Sequence, residues 1–487
     1  MTFAQPILSA VSALLMILAL TMTGPAFVDI VSGSPDMSVF PISAGLTLFA
    51  GGSLFFTNFS THFKLMKRQA FLLVTLVWLI LPLFGCLPFI LGETGLSFTD
   101  AYFEAMSGIT TTGSTVLTGL DHLSPGILIW RAILQWLGGL GIVVMSISIL
   151  PILHVGGMQL FMVEAFETGD KNLPRARQIS TGITLVFIGL TGICALALWL
   201  AGMTGVEALV HAMTTIATGG YSTSDGSIGH FHSATIEAIV TIGMIVGGTP
   251  FMLIFLSVQK RQTNLFRDTQ VRCYLGILLL AISAICGWLW LVDGMSLPTA
   301  LRYASFQAAS IMTGTGFAST DYGGWSMPPL ILLFFLTFVG GCAGSTACGI
   351  KVFRFQILFS ICRMELRKIL FPNGVFVPHY NNRPISKEVV MSILSFFFLL
   401  IFCFGLLTLA LGLLGLDFVT AISSAATAIS NVGPGLGPVV GPAGTFKDFP
   451  DAAKWLLAFG MLVGRLEVFT VMVLFSKLFW SDLTDGT

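Results

Sequence analysis

One short pattern occurs four times in this chain, and it constrains the fold more than any single residue does. It reads Ala101-Tyr-Phe-Glu-Ala105-Met-Ser-Gly-Ile109-Thr-Thr-Thr-Gly113, then Ala208-Leu-Val-His-Ala212-Met-Thr-Thr-Ile216-Ala-Thr-Gly-Gly220. It returns as Ala304-Ser-Phe-Gln-Ala308-Ala-Ser-Ile-Met312-Thr-Gly-Thr-Gly316 and Ala421-Ile-Ser-Ser-Ala425-Ala-Thr-Ala-Ile429-Ser-Asn-Val-Gly433. Counted back from the final glycine, every copy has Ala at −12 and −8 and a large apolar residue at −4. The final glycines stand 107, 96 and 117 residues apart. Self-similarity of this kind means one structural unit used four times.

The internal spacing of four is helical, and Ala on the shared face permits close packing. The helix must then stop. Thr110, Thr111 and Thr112 are poor helix formers, and Gly113 can adopt positive φ. A short helix followed by an extended Thr/Gly strand lets backbone carbonyls face an axis and replace the water around an ion. Four copies would ring one pore.

The rest of the chain says where such a pore sits. Only 9% of residues are charged and 55% are hydrophobic, with mean hydropathy +0.91, whereas soluble domains carry about 25% charge. Apolar segments long enough to span a bilayer (about 20 residues) fall near 7–30, 39–61, 70–91, 125–153, 180–203, 233–258, 272–292, 327–360, 386–414 and 452–480. No basic residue precedes the first, which reads as an uncleaved transmembrane helix rather than a signal peptide. The expected fold is an all-α polytopic membrane protein: two N-terminal transmembrane helices, then four helix–pore loop–helix repeats around one pore. The boundaries are 1–69 for the N-terminal pair, then 70–178, 179–265, 266–384 and 385–487 for the repeats.

With the N-terminus cytoplasmic, 18 of the 23 basic residues fall on cytoplasmic connections, among them Lys64, Lys67, Arg68, Lys171, Arg175, Arg261, Arg363 and Arg367. The positive-inside rule therefore sets the orientation, and all four copies enter from outside. The connections 154–179 and 361–387 are the longest; the second carries Pro372, Pro378 and Pro384 and reads as a solvated linker or a docking surface. Zero formal net charge gives no reason to expect nucleic acid. The eight cysteines have no zinc-type spacing and read as small unpaired hydrophobes, with no disulfide expected between Cys342 and Cys348.

Four span–loop–span units ending in Thr-Thr-Gly, Thr-Gly-Gly, Gly-Thr-Gly and Asn-Val-Gly resemble the Trk/Ktr/HKT superfamily of potassium transporters. The two extra N-terminal spans resemble its bacterial Trk-H branch. The resemblance covers essentially the whole chain. It implies potassium uptake through the inner membrane of a bacterial cell, a homodimer in lipid, and cytoplasmic nucleotide-binding regulatory subunits. It places a potassium filter at Thr111, Thr112, Gly113, Thr218, Gly219, Gly220, Gly314, Thr315, Gly316, Asn431, Val432 and Gly433. The fourth copy departs most, with Asn431 in place of Thr and Pro434 after the glycine. Gly113, where a serine accompanies sodium preference in plant members, favours potassium.

Two stretches inside spans concern gating. The run Gly340-Gly-Cys-Ala-Gly-Ser-Thr-Ala-Cys-Gly349 should interrupt its helix, because each Gly costs about 1 kcal/mol against Ala and irregular backbone at membrane depth must line a cavity or be buried. The resemblance makes it a gating loop, with Gly340, Gly341, Gly344, Ser345, Thr346 and Gly349 as its residues. Arg465 and Glu467 lie two apart in the last span, do not face each other on a helix, and leave Arg465 seeking another partner. The resemblance brings that partner to the loop. Arg131 and Arg302 sit nearer the ends of their segments and are expected to snorkel. His122, His230 and His232 form no ligand set with a carboxylate.

The alternative within transport is a sodium-permeable or sodium-coupled channel of the same fold. An intramembrane enzyme would need clustered carboxylates or a His/Asp set, and Asp100, Glu104 and Glu207 are scattered. An inverted-repeat carrier would show two halves rather than four quarters on one side. No organic cofactor is expected in this chain, and coupling to protons, to sodium or to membrane potential alone stays open.

Overall fold

The computed structural model describes residues 3–58, 66–148, 176–260, 265–381, 383–477 and 479–480. Most of the connection 154–179, with Lys64, Lys171, Arg175 and Arg261, lies outside the described residues. Among the described residues, the regular structure is helical apart from a two-residue antiparallel pairing of His379–Tyr380 with Arg383–Pro384 and a single parallel bridge between Val339 and Ile350.

The order is the one the four copies impose. Helices Gln5–Thr21, Thr23–Ser32 and Val39–Asn58 come first. Four units follow, each a long apolar helix, a short helix and a return. The long helices are Lys67–Gly85, Ala176–Leu200, Thr269–Leu291 and Lys387–Leu413. The short helices are Phe98–Ile109, Gly205–Ile216, Leu297–Thr313 and Phe418–Ser430. The returns begin at Pro125–Ser148, Ala234–Gly247, Met327–Leu336 and Asp451–Arg465. The N-terminal helices dock on the first unit, where Gly126 N–H donates to Asp29 Oδ1 at 2.8 Å and Glu93 N–H donates to Asp36 Oδ1 at 3.0 Å.

The repeated apolar face is the core. All twelve residues at −12, −8 and −4 are at most 3% exposed. Small residues on the returning helices let backbones meet there. A Cβ on Gly138 would fall 1.8 Å from the Ile109 carbonyl oxygen, and one on Gly464 would fall 2.0 Å from that of Ile429. Contact that close is how helices pack in a membrane without a hydrophobic drive between them.

The returns differ from the expected continuous spans. Among the described residues, seven helices are long and apolar enough to cross a membrane, or up to nine counting two bent pairs. Ala234–Gly247 and Phe251–Gln259 meet at 93°, and Asp451–Arg465 and Phe469–Phe475 at 109°. In the third unit, helix stops at Leu336 and resumes at Val352. The first bend sits at Gly247-Gly248-Thr249-Pro250, where proline supplies no N–H and disfavours helix in the residue before it. The second has Glu467 at φ 62° and Val468 at φ 29°. That is a strained conformation for a β-branched residue. The expectation that Arg465 and Glu467 share an unbroken helix is thereby corrected: the helix ends between them.

Candidate functional site

Each short helix begins and ends in the same way. Its N-cap side chain accepts the N–H three residues on: Ser97 from Asp100, Thr204 from Glu207, Ser296 from Thr299 and Asp417 from Thr420. Such caps stabilise a helix by about 1 kcal/mol. The Thr420 hydroxyl and N–H hold the Asp417 carboxyl below the usual carboxylate range. The caps at Ser97, Thr204 and Asp417 stand 16 residues before their final glycines. The third helix starts one turn earlier, at the same end.

At the other end, the −2 N–H donates to the −5 carbonyl: Thr111 to Gly108 (2.9 Å), Thr218 to Thr215 (3.1 Å), Gly314 to Ile311 (3.0 Å) and Asn431 to Ala428 (3.4 Å). The −1 N–H donates to the −6 carbonyl: Thr112 to Ser107 (2.9 Å), Gly219 to Thr214 (2.8 Å), Thr315 to Ser310 (2.9 Å) and Val432 to Thr427 (3.1 Å). This is the Schellman stop, which requires a left-handed residue at −2. Those residues lie at φ 53°, 51°, 73° and 52° in chain order. Glycine and asparagine adopt that conformation readily, but in Thr111 and Thr218 it stores about 1–3 kcal/mol each. Strain repeated in register is a property of the site rather than an accident of one loop.

The final glycines are left-handed too, at φ 87°, 79°, 80° and 100°, and they close a ring. A Cβ on Gly113 would fall 2.3 Å from the carbonyl oxygen of Gly219. One on Gly220 would fall 1.8 Å from that of Thr315, one on Gly316 2.1 Å from that of Val432, and one on Gly433 2.8 Å from that of Thr112. The contacts therefore run from the first copy to the second, third and fourth, and back to the first. Four −1 carbonyls line one closed circuit with no room for side chains on the glycines. The four helix C-termini end at this circuit, and each carries the negative end of its dipole there. Backbone oxygens and dipole ends together make a place for a cation. Among the described residues, no cluster of His, Cys, Asp and Glu offers a metal site of the carboxylate–imidazole kind.

Side chains behind the ring hold the strands. At −9 the four copies have Glu104, His211, Gln307 and Ser424, all fully buried. Glu104 accepts from Thr115 Oγ1 (3.0 Å) and Val116 N–H (2.9 Å). His211 Nε2 meets Ser222 Oγ at 3.0 Å, and Gln307 Nε2 approaches the Thr320 carbonyl at 3.4 Å. In three copies, then, the −9 side chain supports the strand beyond the glycine. The expectation of snorkelling fails for Arg131, which is 1% exposed. It pairs with Glu104 at 2.9 Å, donates to the Ser222 carbonyl at 2.9 Å and lies 4.0 Å from the Tyr221 ring centre. It thus joins the first two copies. Arg302 is bidentate on Glu237 at 2.7 and 2.6 Å. Gln135 donates to the Gly219 carbonyl (2.6 Å) and accepts from Tyr221 N–H (3.0 Å). Asn431 Nδ2 donates to Thr112 Oγ1 and to the Met461 carbonyl, both at 2.9 Å, and so ties the fourth copy to the first. The common −9 offset is present in the sequence, where Glu104 reads only as a scattered carboxylate; the burial that gives His211, Gln307, Ser424 and Gln135 their roles appears only in the fold.

A cavity of about 200 Å³ lies against the ring, lined by Gly113, Gly220, Gly316 and Gly433. On the other side, a space of about 40 Å³ is lined by Asn431, Cys348, Lys351, Arg354, Arg465 and Glu467. Between ring and small space lies the break in the third return. Gly340 N–H donates to the Ile350 carbonyl (3.0 Å) and the Gly341 carbonyl accepts from Val352 N–H (3.1 Å). The loop docks on the bend of the second return. There Gly344 accepts from Phe251 N–H (3.0 Å), and Thr346 Oγ1 donates to the Ile216 and Gly247 carbonyls (2.9 and 3.0 Å). Ser345 turns inward and donates to the Cys342 carbonyl. Gly344 and Gly349 take φ 72°. Arg465 reaches this loop: it donates to the Thr346 carbonyl (3.3 Å), to Cys348 Sγ (2.8 Å) and to the Gly138 carbonyl (3.4 Å). Glu467 pairs instead with Arg354.

The profile of the TrkH family, described as cation transport protein, matches residues 38–485. The chain is 43% identical over 476 residues to the Trk system potassium uptake protein TrkI of Halomonas elongata, covering 98% of this chain and 96% of that one. It is 38% identical over 478 residues to the Trk system potassium uptake protein TrkH of Escherichia coli, covering 97% and 98%. The crystal structure of the potassium transporter TrkH from Vibrio parahaemolyticus superposes with a TM-score of 0.91 at 34% identity, covering 99% of this chain and 100% of that one. These relatives are transporters rather than enzymes, and the carboxylates Asp100 and Glu104 are committed to Lys454 and Arg131. The chain, a multi-pass membrane protein, belongs to the TrkH family of cation transport proteins.

Proposed function

We propose that this chain takes up potassium across the inner membrane of a bacterial cell. The carrying observation is the closed circuit of −1 carbonyls, from Thr112, Gly219, Thr315 and Val432, drawn from four copies in one chain. In this reading the residues 111–113, 218–220, 314–316 and 431–433 form the selectivity filter. Potassium sheds water in the 200 Å³ vestibule and is held by backbone oxygens, loosely enough to leave. The loop from Gly340 to Gly349 is the gate, and Arg465, Lys351 and Arg354 against Glu467 give the space below it an excess of positive charge. That excess opposes a cation until the loop moves.

The placement of basic residues supports a cytoplasmic N-terminus, with the vestibule outside. The reading carries the division at 1–69, 70–178, 179–265, 266–384 and 385–487. It also includes two paired copies in lipid, each with its own pathway, and cytoplasmic nucleotide-binding subunits that act on the gate. The Trk system named in the relatives supports the regulatory part. No organic cofactor enters the reading. Purified protein in liposomes, given tracer potassium with competing sodium and with pH and sodium gradients set independently, tests it. Potassium-preferring flux is expected. Equal sodium and potassium flux, or none, would sink the proposal.

A further inference from the structure

Cys348 occupies a position that the ring geometry makes unusual. Its Sγ lies 3.5 Å from Thr111 Oγ1, the −2 residue of the first copy. Its N–H donates to the Thr313 carbonyl at 3.3 Å, next to the −2 residue of the third copy. A Cβ on Gly314, that −2 residue, would fall 2.9 Å from the Cys348 Cβ. Because the circuit runs first, second, third, fourth, the first and third copies face each other across it. Cys348 meets the first copy through its sulfur and the third through its backbone N–H, so the residue spans the inner side of the opening between opposite copies. Arg465 Nη1 donates to the same sulfur at 2.8 Å and holds it there.

We propose that Cys348 is the side chain that closes the pathway: its thiol stands across the inner mouth of the ring, pinned by Arg465. This rests on the transport reading above and names the obstructing group within the loop. Three consequences follow from size and bonding. Alanine removes the sulfur and its bonds to Thr111 and Arg465, and opens the mouth. Serine keeps a hydroxyl that can meet both partners, and leaves it nearly closed. Leucine fills the mouth and offers Arg465 no acceptor.

The test is tracer potassium flux in liposomes per reconstituted molecule, without regulatory subunits. Wild-type flux and its preference over sodium test the transport reading itself; the ratio of variant to wild type tests the plug. Basal flux should rise about tenfold in Cys348→Ala, as expected if ~1.4 kcal/mol of closed-state stabilisation is lost, stay near wild type in Cys348→Ser, and fall in Cys348→Leu. A well-folded Cys348→Ala with wild-type flux overturns the proposal. Should Cys348→Ala not fold, the serine and leucine variants decide it, and a Cys348→Leu that conducts as well as Cys348→Ser overturns it. A methanethiosulfonate reagent, which forms a mixed disulfide with the thiolate and releases methanesulfinate, gives a second readout. During active transport it should block wild type and spare Cys348→Ser. Equal block of both, through the other seven cysteines, counts against the assignment.

Discussion

The carbonyl oxygen of Gly219 stands 2.3 Å from where a Cβ on Gly113 would be, and that of Thr315, in the opposite copy, stands 3.6 Å from the same point. Any side chain at Gly113 must therefore push the second copy's strand away or enter the opening. With φ at 87° the backbone resists a side chain as well.

This predicts that Gly113→Ser lowers the potassium-to-sodium preference by about tenfold or more, a change of ~1.4 kcal/mol in relative binding. Gly119→Ala is the control: its φ is 72°, but nothing lies within 4 Å of the added Cβ. It carries the backbone strain without touching the ring, so its selectivity should stay put. Competition of sodium against tracer potassium in liposomes measures both. Equal selectivity in Gly113→Ser and wild type would remove Gly113 from the filter.

Glu104 and Arg131 make a fully buried pair that also carries Thr115, Val116 and the Ser222 carbonyl. Removing one partner strands the other charge, at a cost of about 3–5 kcal/mol. Arg131→Met and Glu104→Gln should each lower the thermal midpoint in detergent, because each leaves one buried charge without its counter-charge. The double variant should be more stable than the sum of the singles implies. Strict additivity would mean that the pair is not coupled.

The repeat was legible because its packing demands are local. Close helix contact needs alanine at −12 and −8, and the tight ring needs the final glycine, so both are written in residue type. The Schellman stop was partly legible, since a hydroxyl-rich run after an apolar helix promises an end but not the left-handed Thr111 and Thr218. The bends were not read. The mean hydropathy stays high across Gly247-Gly248-Thr249-Pro250 and across Arg465 to Phe469 despite Arg465 and Glu467, and hydropathy cannot distinguish a span from two helices at 93° or 109°. Arg131 was misread for a related reason. Its distance from the helix start, Pro125, suggested access to water, whereas its partner Glu104 lies 27 residues away and becomes visible only when the first short helix folds back.

Gln135 is a side chain that bonds a ring carbonyl directly, and it holds the second strand from both sides of Gly220. A carbonyl that donates electron density to an amide N–H offers less to a passing ion. Gln135→Leu frees the Gly219 oxygen but orphans the Tyr221 N–H. The lost bond is worth about 1 kcal/mol. A shift of roughly fivefold in potassium preference follows, read as the concentration of sodium that halves tracer uptake. Gln135→Glu keeps the shape and removes the donor, so it should shift selectivity in the same assay. If both variants match wild type, the amide merely fills space.

Arg465 is 5% exposed, and its Nε has no hydrogen-bond partner among the described residues. Its other nitrogens join the loop at Thr346 and Cys348 to the first unit at Gly138. Its guanidinium also lies 5.7 Å from the Trp78 ring centre. The side chain therefore bridges the loop and the first unit's returning helix, which must separate if the loop is to swing aside. A charge-assisted bond of this kind contributes about 1.5–3 kcal/mol, and the positive charge itself opposes a cation in the same constriction. Arg465→Ala removes both effects. It should raise basal potassium flux by about tenfold, the change that ~1.4 kcal/mol produces in an open-to-closed ratio, and it should weaken dependence on regulatory subunits. Arg465→Lys keeps the charge but loses the planar fork, so it should fall between wild type and alanine. A purely structural Arg465 predicts the opposite pattern: poor insertion, with unchanged flux in each molecule that does insert. Tracer uptake normalised to protein in the bilayer separates the two, and a well-inserted Arg465→Ala with wild-type or lower flux would rule out a latch at this position.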